Sequence, residues 1–318
     1  MTAQTHELIA ALERTIGKPV IDVRRTPSPY AASYALEELV VQPAGEPALE
    51  LMFKDLGAPS ATARAIKPSF VVDPLREIEV YTELLPGSRM STARCWGASI
   101  DPTRGRYWLF LERIRGVELY QVGERAAWEV VARWLAGMHR ALARRSPGRR
   151  LLLRYDAELL MRWAHRAFEY APARHRHRLG EIAARYDSVL EMMLAAPPTP
   201  IHGEFYASNV LVDDARSPSR VCPVDWEMAG LGPPLIDLAA LVSGAWSTSD
   251  RDAIASAYRS ALPPAERPDD GEFRVALDAC RLHLALQWIG WSERWSPPAE
   301  HATDWLSSAL DAAASLGL

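Results

Sequence analysis

The sequence predicts an α+β fold of two lobes, a β-rich first third followed by a mainly helical remainder. Short β-branched or alternating segments dominate residues 20–56. The segment WEVVARWLAGMHRAL (128–142) repeats apolar residues at helical spacing, and residues from about 234 to 316 read as mostly helical. A length of 318 residues suits two domains or one large two-lobed one.

Each element follows from its local pattern. Residues from about 3 to 16 form an amphipathic helix. VIDVRRT (20–26), SYALEELVVQ (33–42) and ALELMFKDL (48–56) are strands punctuated by Pro, Ser and Gly. DPLREIEVYTELL (73–85) is a helix, with Asp73 as cap, Pro74 in the first turn, and Ile78, Tyr81, Leu84 and Leu85 on one face. STARCWGASI (91–100) and RYWLFLERI (106–114) return to strand. After Gly116 the texture turns helical, with Val131, Leu135 and Met138 sharing a face, and two more helical stretches lie near 156–170 and 178–195. AAPPTP (195–200) breaks that pattern, and two short strands follow around 209–213 and 221–225. The junction near 112–117 divides an N-lobe of residues 1–113 from a C-lobe of residues 114–318.

Bulk properties exclude several classes. The 36 basic and 40 acidic residues give a net charge of −4, with no basic footprint for nucleic acid. The three cysteines, Cys95, Cys222 and Cys280, are far apart and form no zinc or disulfide pattern. The N-terminal stretch lacks the apolar core of a signal peptide, and no run of about 18 apolar residues suggests a membrane span. The expectation is a soluble cytoplasmic protein, monomer or homodimer.

Chemistry concentrates in IHGEFYASNVLV (201–212) and VCPVDWEMAG (221–230). Asn209 lies on a loop entering a strand, and Asp225 ends an apolar strand. A carboxylate and an amide oxygen brought together in this way suit Mg²⁺, which takes one or two carboxylates plus substrate phosphates and waters. Glu204 then sits where a base can meet a hydroxyl nucleophile. In ALELMFKDL the single lysine, Lys54, precedes a helix carrying Glu77 and Glu79. A strand lysine paired with a helix glutamate aims an ammonium at a phosphate, and spacing to Leu84 and Leu85 favours Glu77 for the pair.

The order of strand lysine, helix glutamate, hinge, HGE-x4-N and a VDW aspartate resembles the aminoglycoside phosphotransferase and choline kinase-like branch of the protein-kinase-like fold. GLGPPLIDLA (230–239) resembles the segment that follows the aspartate in that family, with Asp237 in the place of a helix-borne structural aspartate. The resemblance spans about residues 20–290. It implies transfer of the γ-phosphoryl of ATP or GTP to a hydroxyl of a small-molecule acceptor, in the presence of Mg²⁺, with antibiotic modification among the roles. It places Lys54 on the α/β-phosphates, oriented by Glu77, and Asn209 and Asp225 on Mg²⁺. His202 supports the loop structurally. The hinge Leu111–Glu112–Arg113–Ile114 lies beside adenine, so Glu112 and Ile114 count among the nucleotide-binding positions.

This chain departs from the family pattern twice. Glu204 replaces the usual HGD aspartate and is one methylene longer; a shift of about 1 Å can cost on the order of a hundredfold in rate. RRTPSPYAASY (24–34), the nucleotide-covering loop, has no glycine and offers Ser28, Tyr30 and Ser33 instead. Together these leave a second reading, a catalytically impaired scaffold that binds a nucleotide or ligand. His139 reads as a packed histidine. Trp288, Trp291 and Trp295 recur at helical spacing, with Trp305 beyond, and serve either as core or as an aromatic acceptor wall. Asp269, Asp270 and Glu272 are the carboxylates available to a polycationic acceptor, or else a solvated loop before a helix.

Overall fold

The computed structural model describes residues 2–30, 33–145, 151–213, 219–291 and 303–318. The chain opens with α1 (Thr2–Ile16) and continues through β1 (Val20–Pro27), β2 (Tyr34–Pro43), β3 (Leu49–Pro59), α2 (Ala61–Ile66), α3 (Pro74–Glu79), β4 (Cys95–Asp101) and β5 (Arg106–Glu112). The five strands form one antiparallel sheet in the order β1-β2-β3-β5-β4. Alternation along β3 sends Leu51 and Phe53 to one face, where they join Leu39, Val41, Trp108 and Phe110 against Leu8, Ala11 and Leu12 of α1. Lys54 therefore points to the opposite face, toward α3.

Asp73 caps α3 by accepting the Leu75 N–H at 2.9 Å, and Pro74 occupies its first turn. The helix continues as a wider turn over Val80–Leu84 that buries Val80, Tyr81 and Leu84. Neither α2 nor this widened turn has a counterpart among the elements expected from the sequence.

The second lobe begins with β6 (Val117–Glu118) and α4 (Arg125–Ala143). After β7 (Leu153–Arg154) come α5 (Ala157–Tyr170), α6 (Arg176–Ala184) and α7 (Tyr186–Leu194), so the single stretch expected over 178–195 is two helices. Four short strands follow, β8 (Thr199–Ile201), β9 (Val210–Asp213), β10 (Arg220–Pro223) and β11 (Gly230–Gly232). They build two three-stranded sheets, ordered β10-β9-β6 and β7-β11-β8. The helices α8 (Leu235–Leu241), α9 (Thr248–Ala261), α10 (Asp270–Ile289) and α11 (Trp305–Ser315) complete the lobe. One large core joins these helices to Val80, Tyr81 and Leu84. The fold is α+β and bilobal, as the sequence predicts. Among the described residues, no helix is long and apolar enough to cross a membrane.

Candidate active site

Lys54 is the centre of the cleft-side charge network. Its Nζ lies 2.7 Å from Glu77 Oε2 and 2.5 Å from Asp225 Oδ1, which joins β3, α3 and the turn after β10. Of the two candidate helix glutamates, Glu77 makes this pair. Burial by itself would lower the lysine pKa, but Asp225 and Glu77 outweigh it and hold the ammonium above its ordinary value. Burial pushes Glu77 up to about 7, against the pull of Lys54.

The loop after β8 is set by backbone constraints. Gly203 has φ +83°, and a Cβ there would collide with the Met228 carbonyl and the Tyr155 hydroxyl, so only glycine fits. Asp237 on α8 is fully buried and accepts the backbone N–H groups of His202 (2.7 Å) and Gly203 (2.8 Å). His139 on α4 contacts the same carboxylate through Nε2 at 3.0 Å and Tyr258 through Nδ1 at 2.9 Å. Asp237 is thus a buried anchor that fixes the loop's entry. The His202 Nδ1 accepts the Glu204 N–H at 3.3 Å, which makes Nε2 the donor to the Val224 carbonyl at 2.9 Å. Burial holds the His202 pKa below its usual value, so the ring is neutral and acts as a brace between the two loops.

Asn209 closes the same loop. Its Nδ2 donates to the Glu204 carbonyl at 2.9 Å, and its own carbonyl accepts the Val224 N–H at 2.9 Å. That use of Nδ2 leaves Oδ1 for another partner. The Val224 bond also brings Asp225 alongside. Asp225 is left-handed, at φ +65°, a conformation that Asp tolerates better than most residues. Burial would raise its pKa, yet Lys54 holds it below the ordinary carboxylate range.

Two basic residues in this region were not singled out by the sequence. Lys67, just past α2, is buried against Glu227, with its Nζ 5.4 Å from the centre of the Tyr34 ring. Arg76, beside Glu77 on α3, donates to the carbonyls of Val71, Leu151 and Glu227. Glu227 thus pairs with Lys67 through its side chain and is held by Arg76 through its backbone.

The cluster therefore holds Lys54 and Lys67 against Glu77, Glu204, Asp225 and Glu227. Burial, then the charge of Glu227, pushes Glu204 up to about 8, with Lys67 opposing. Four carboxylates against two ammonium groups leave an excess of two negative charges when all are ionised. A hard divalent cation complements that excess. Among the described residues, no three His, Cys, Asp or Glu side chains come together closely enough to enclose a metal alone. Asp225 and the Asn209 oxygen instead suit Mg²⁺ that draws its remaining ligands from phosphates and water.

The other positions expected to contact nucleotide are differently placed. Ser28 is buried at the β1–β2 connection; its N–H donates to the Leu36 carbonyl and its Oγ accepts the Tyr30 N–H at 3.3 Å. The Ser33 carbonyl accepts the Ser60 N–H at 2.9 Å. Both serines shape this connection, whose residues 31 and 32 lie outside the described set. The Glu112 carboxylate binds Arg220 of β10 at 2.6 and 2.9 Å and accepts the Arg94 N–H at 3.0 Å, so its side chain ties the five-stranded sheet to the helical lobe. Ile114 packs, half-buried, against the large core.

Next to the 204–209 loop lies a cavity of about 280 Å³, lined by residues that include Tyr120, Trp128, Tyr206, Trp246 and Trp305. The tryptophan stripe divides here. Trp288 donates to the Tyr206 hydroxyl at 2.6 Å and stacks on Trp305 with ring centres 5.1 Å apart, backing the cavity wall. Trp291 stacks on buried Trp163, and Trp295 lies outside the described residues. Asp269 caps α10 and Asp270 pairs with Arg274; neither they nor Glu272 line the cavity.

The APH family model, described as the phosphotransferase enzyme family, matches residues 70–273. Among solved structures, a microcompartment-associated aminopropanol kinase is 17% identical, with a TM-score of 0.64, and the match covers 98% of this chain and 96% of that one. A choline kinase from Cryptosporidium parvum is 15% identical, with a TM-score of 0.59 and coverage of 98% and 94%. A GDP complex of wild-type aminoglycoside 2′-phosphotransferase-IIIa is 14% identical, with a TM-score of 0.60 and coverage of 98% and 97%. At these identities the structures show a shared fold. No curated protein matches the sequence significantly.

Proposed function

The chain belongs to the phosphotransferase enzyme family, and from that premise we propose that it moves the γ-phosphoryl group of ATP or GTP to a hydroxyl of a small molecule. The observation that carries this reading is the placement of Lys54 between Glu77 and Asp225, with Asn209 held to Glu204 in the adjoining loop.

The roles follow from that geometry. Lys54, kept charged by its two carboxylate neighbours, offers an ammonium to nucleotide phosphates, and Glu77 keeps it aimed. Asp225 and Asn209 are the residues that would hold Mg²⁺, which supplies charge neutralisation for the phosphates when bound. Glu204 accepts the acceptor hydroxyl's proton as the alcohol oxygen bonds to the γ-phosphorus. The bond from that phosphorus to the β,γ-bridging oxygen breaks, and the nucleoside diphosphate departs. His202 and Asp237 hold the loop that presents Glu204. Since catalysis of this kind is mostly positioning and electrostatics, a preset loop and a preset lysine supply most of what it needs.

Calorimetric titration of ATP and GTP, with and without Mg²⁺, on the wild type and Asp225→Ala tests the reading. Mg²⁺-dependent binding that the variant loses supports it. No nucleotide binding under any condition refutes it. Mg²⁺-dependent binding with no turnover on any alcohol would favour the scaffold reading instead. Expression of the chain in an antibiotic-sensitive bacterial strain tests the antibiotic-modifying role, where raised resistance is the supporting result.

A further inference from the structure

The cavity beside the 204–209 loop is mainly aromatic, with Ser208, Ser243 and Thr303 adding hydroxyls to its lining. Five of its walls are aromatic: Tyr120, Trp128, Tyr206, Trp246 and Trp305. Most of its other described lining consists of small residues such as Ala207, Ala240 and Gly244, and no described lining residue is Asp, Glu, Lys or Arg. The walls are preset by their own contacts. Trp128 and Trp246 meet edge to face at 4.7 Å, and Trp305 stacks on Trp288, whose indole N–H is fixed on the Tyr206 hydroxyl. Tyr206 and Ala207 belong to the same loop as Glu204 and Asn209, so whatever fills the cavity lies beside the proposed base.

We infer that this cavity is the acceptor site, and that it takes an uncharged alcohol built on one or two apolar or aromatic rings. The inference rests on the phosphotransferase reading above. Three physical points select that class. A polyamine acceptor brings several ammonium groups; Glu204 can meet one at the cavity edge, but the described walls carry no carboxylate to compensate the desolvation of the others. A compact ammonium alcohol gains some attraction from aromatic faces, but leaves much of a cavity of about 280 Å³ unfilled. A ring-bearing neutral alcohol fills the space, stacks on the indoles, and leaves its hydroxyl at the polar edge near Glu204.

Calorimetric titration tests this on the full chain with Mg²⁺ and a non-hydrolysable ATP analogue. Four probes are compared: 2-phenylethanol, 2-naphthylethanol, choline and kanamycin. The inference expects binding of the two neutral alcohols, tighter for the larger ring, with choline and kanamycin weaker or silent. Trp246→Ala should weaken the neutral probes at least about tenfold while nucleotide affinity is unchanged. Ser243→Asp, which puts a carboxylate into the lining, should shift preference toward choline. Preference of the wild type for choline or kanamycin overturns the inference, as does silence from all four probes or an unchanged neutral-probe affinity in Trp246→Ala. The nucleotide titration separates the two failures: lost nucleotide binding defeats the phosphotransferase reading, whereas intact nucleotide binding with the wrong probe order defeats only the acceptor class.

Discussion

Lys54 and Asp225 form a direct ion pair, 2.5 Å from Nζ to Oδ1, so the residue proposed for phosphate and the residue proposed for metal neutralise each other's charge. Removing either partner therefore exposes the other's charge in a buried cluster and also removes a ligand contact. Lys54→Met should lower kcat/KM by about 10²–10³-fold, with circular dichroism showing the fold retained. A variant within a few-fold of wild type would remove Lys54 from the chemistry.

Glu204 gives an activity prediction with a definite sign. As a base it must be ionised, yet its environment pushes it up to about 8. At low Mg²⁺, kcat/KM should rise with pH toward about 8. Saturating Mg²⁺ should move that limb to lower pH, because a nearby cation favours the carboxylate. Glu204→Gln should abolish the limb and most of the rate. Glu204→Asp distinguishes a base set one methylene too far, which improves, from a loop that has adjusted to the longer side chain, which loses rate.

The same groups link stability to pH. Glu77 and Glu204 keep their protons to about 7 and about 8 in the folded chain, whereas unfolded glutamate loses its proton near 4.5. Their contribution is complete below 4.5 and is lost as pH rises through the folded values. Thermal melts in EDTA should show Tm falling between about pH 5 and pH 8. Mg²⁺ with nucleotide should flatten that slope, and so should Glu204→Gln. A Tm that rises across this window contradicts the assignment.

Asp237 should matter more for the loop than for the chemistry. Asp237→Ala leaves the His202 and Gly203 N–H groups without their buried acceptor, at about 1–3 kcal/mol for an orphaned group. Chemical denaturation should register that loss as a lower midpoint. Asp237→Asn keeps one acceptor oxygen and should fall between the wild type and Asp237→Ala.

Lys67 is the least expected member of the cluster. Lys67→Met should leave the buried Glu227 carboxylate without its ammonium partner, lowering stability by roughly 3–5 kcal/mol. Lys67→Arg should recover part of that. Denaturant midpoints for the two variants measure both effects.

The sequence made some of this legible and hid the rest for identifiable reasons. The two-lobed α+β class follows from a switch in hydrophobic period near Gly116, a signal local to each segment. Lys54, Asn209 and Asp225 each stand at a strand or strand end, where a polar residue among apolar neighbours is conspicuous. Lys67 and Arg76 had no such contrast. Their burial arises from contacts with Glu227 across more than a hundred residues of chain, which no local pattern encodes. Glu112 shows the opposite case. Its place at the end of a strand was readable, but its Arg220 partner, more than a hundred residues away in sequence, was not.

Arg76 has one further consequence. By donating to the Leu151 and Glu227 carbonyls it bolts α3 to the helical lobe, and through the Val71 carbonyl to its own lead-in, while the adjacent Glu77 reaches up to the sheet. A helix fastened in this way cannot swing outward without stranding a buried guanidinium. Any displacement of the five-stranded sheet against the helical lobe would then leave α3 with the helical lobe.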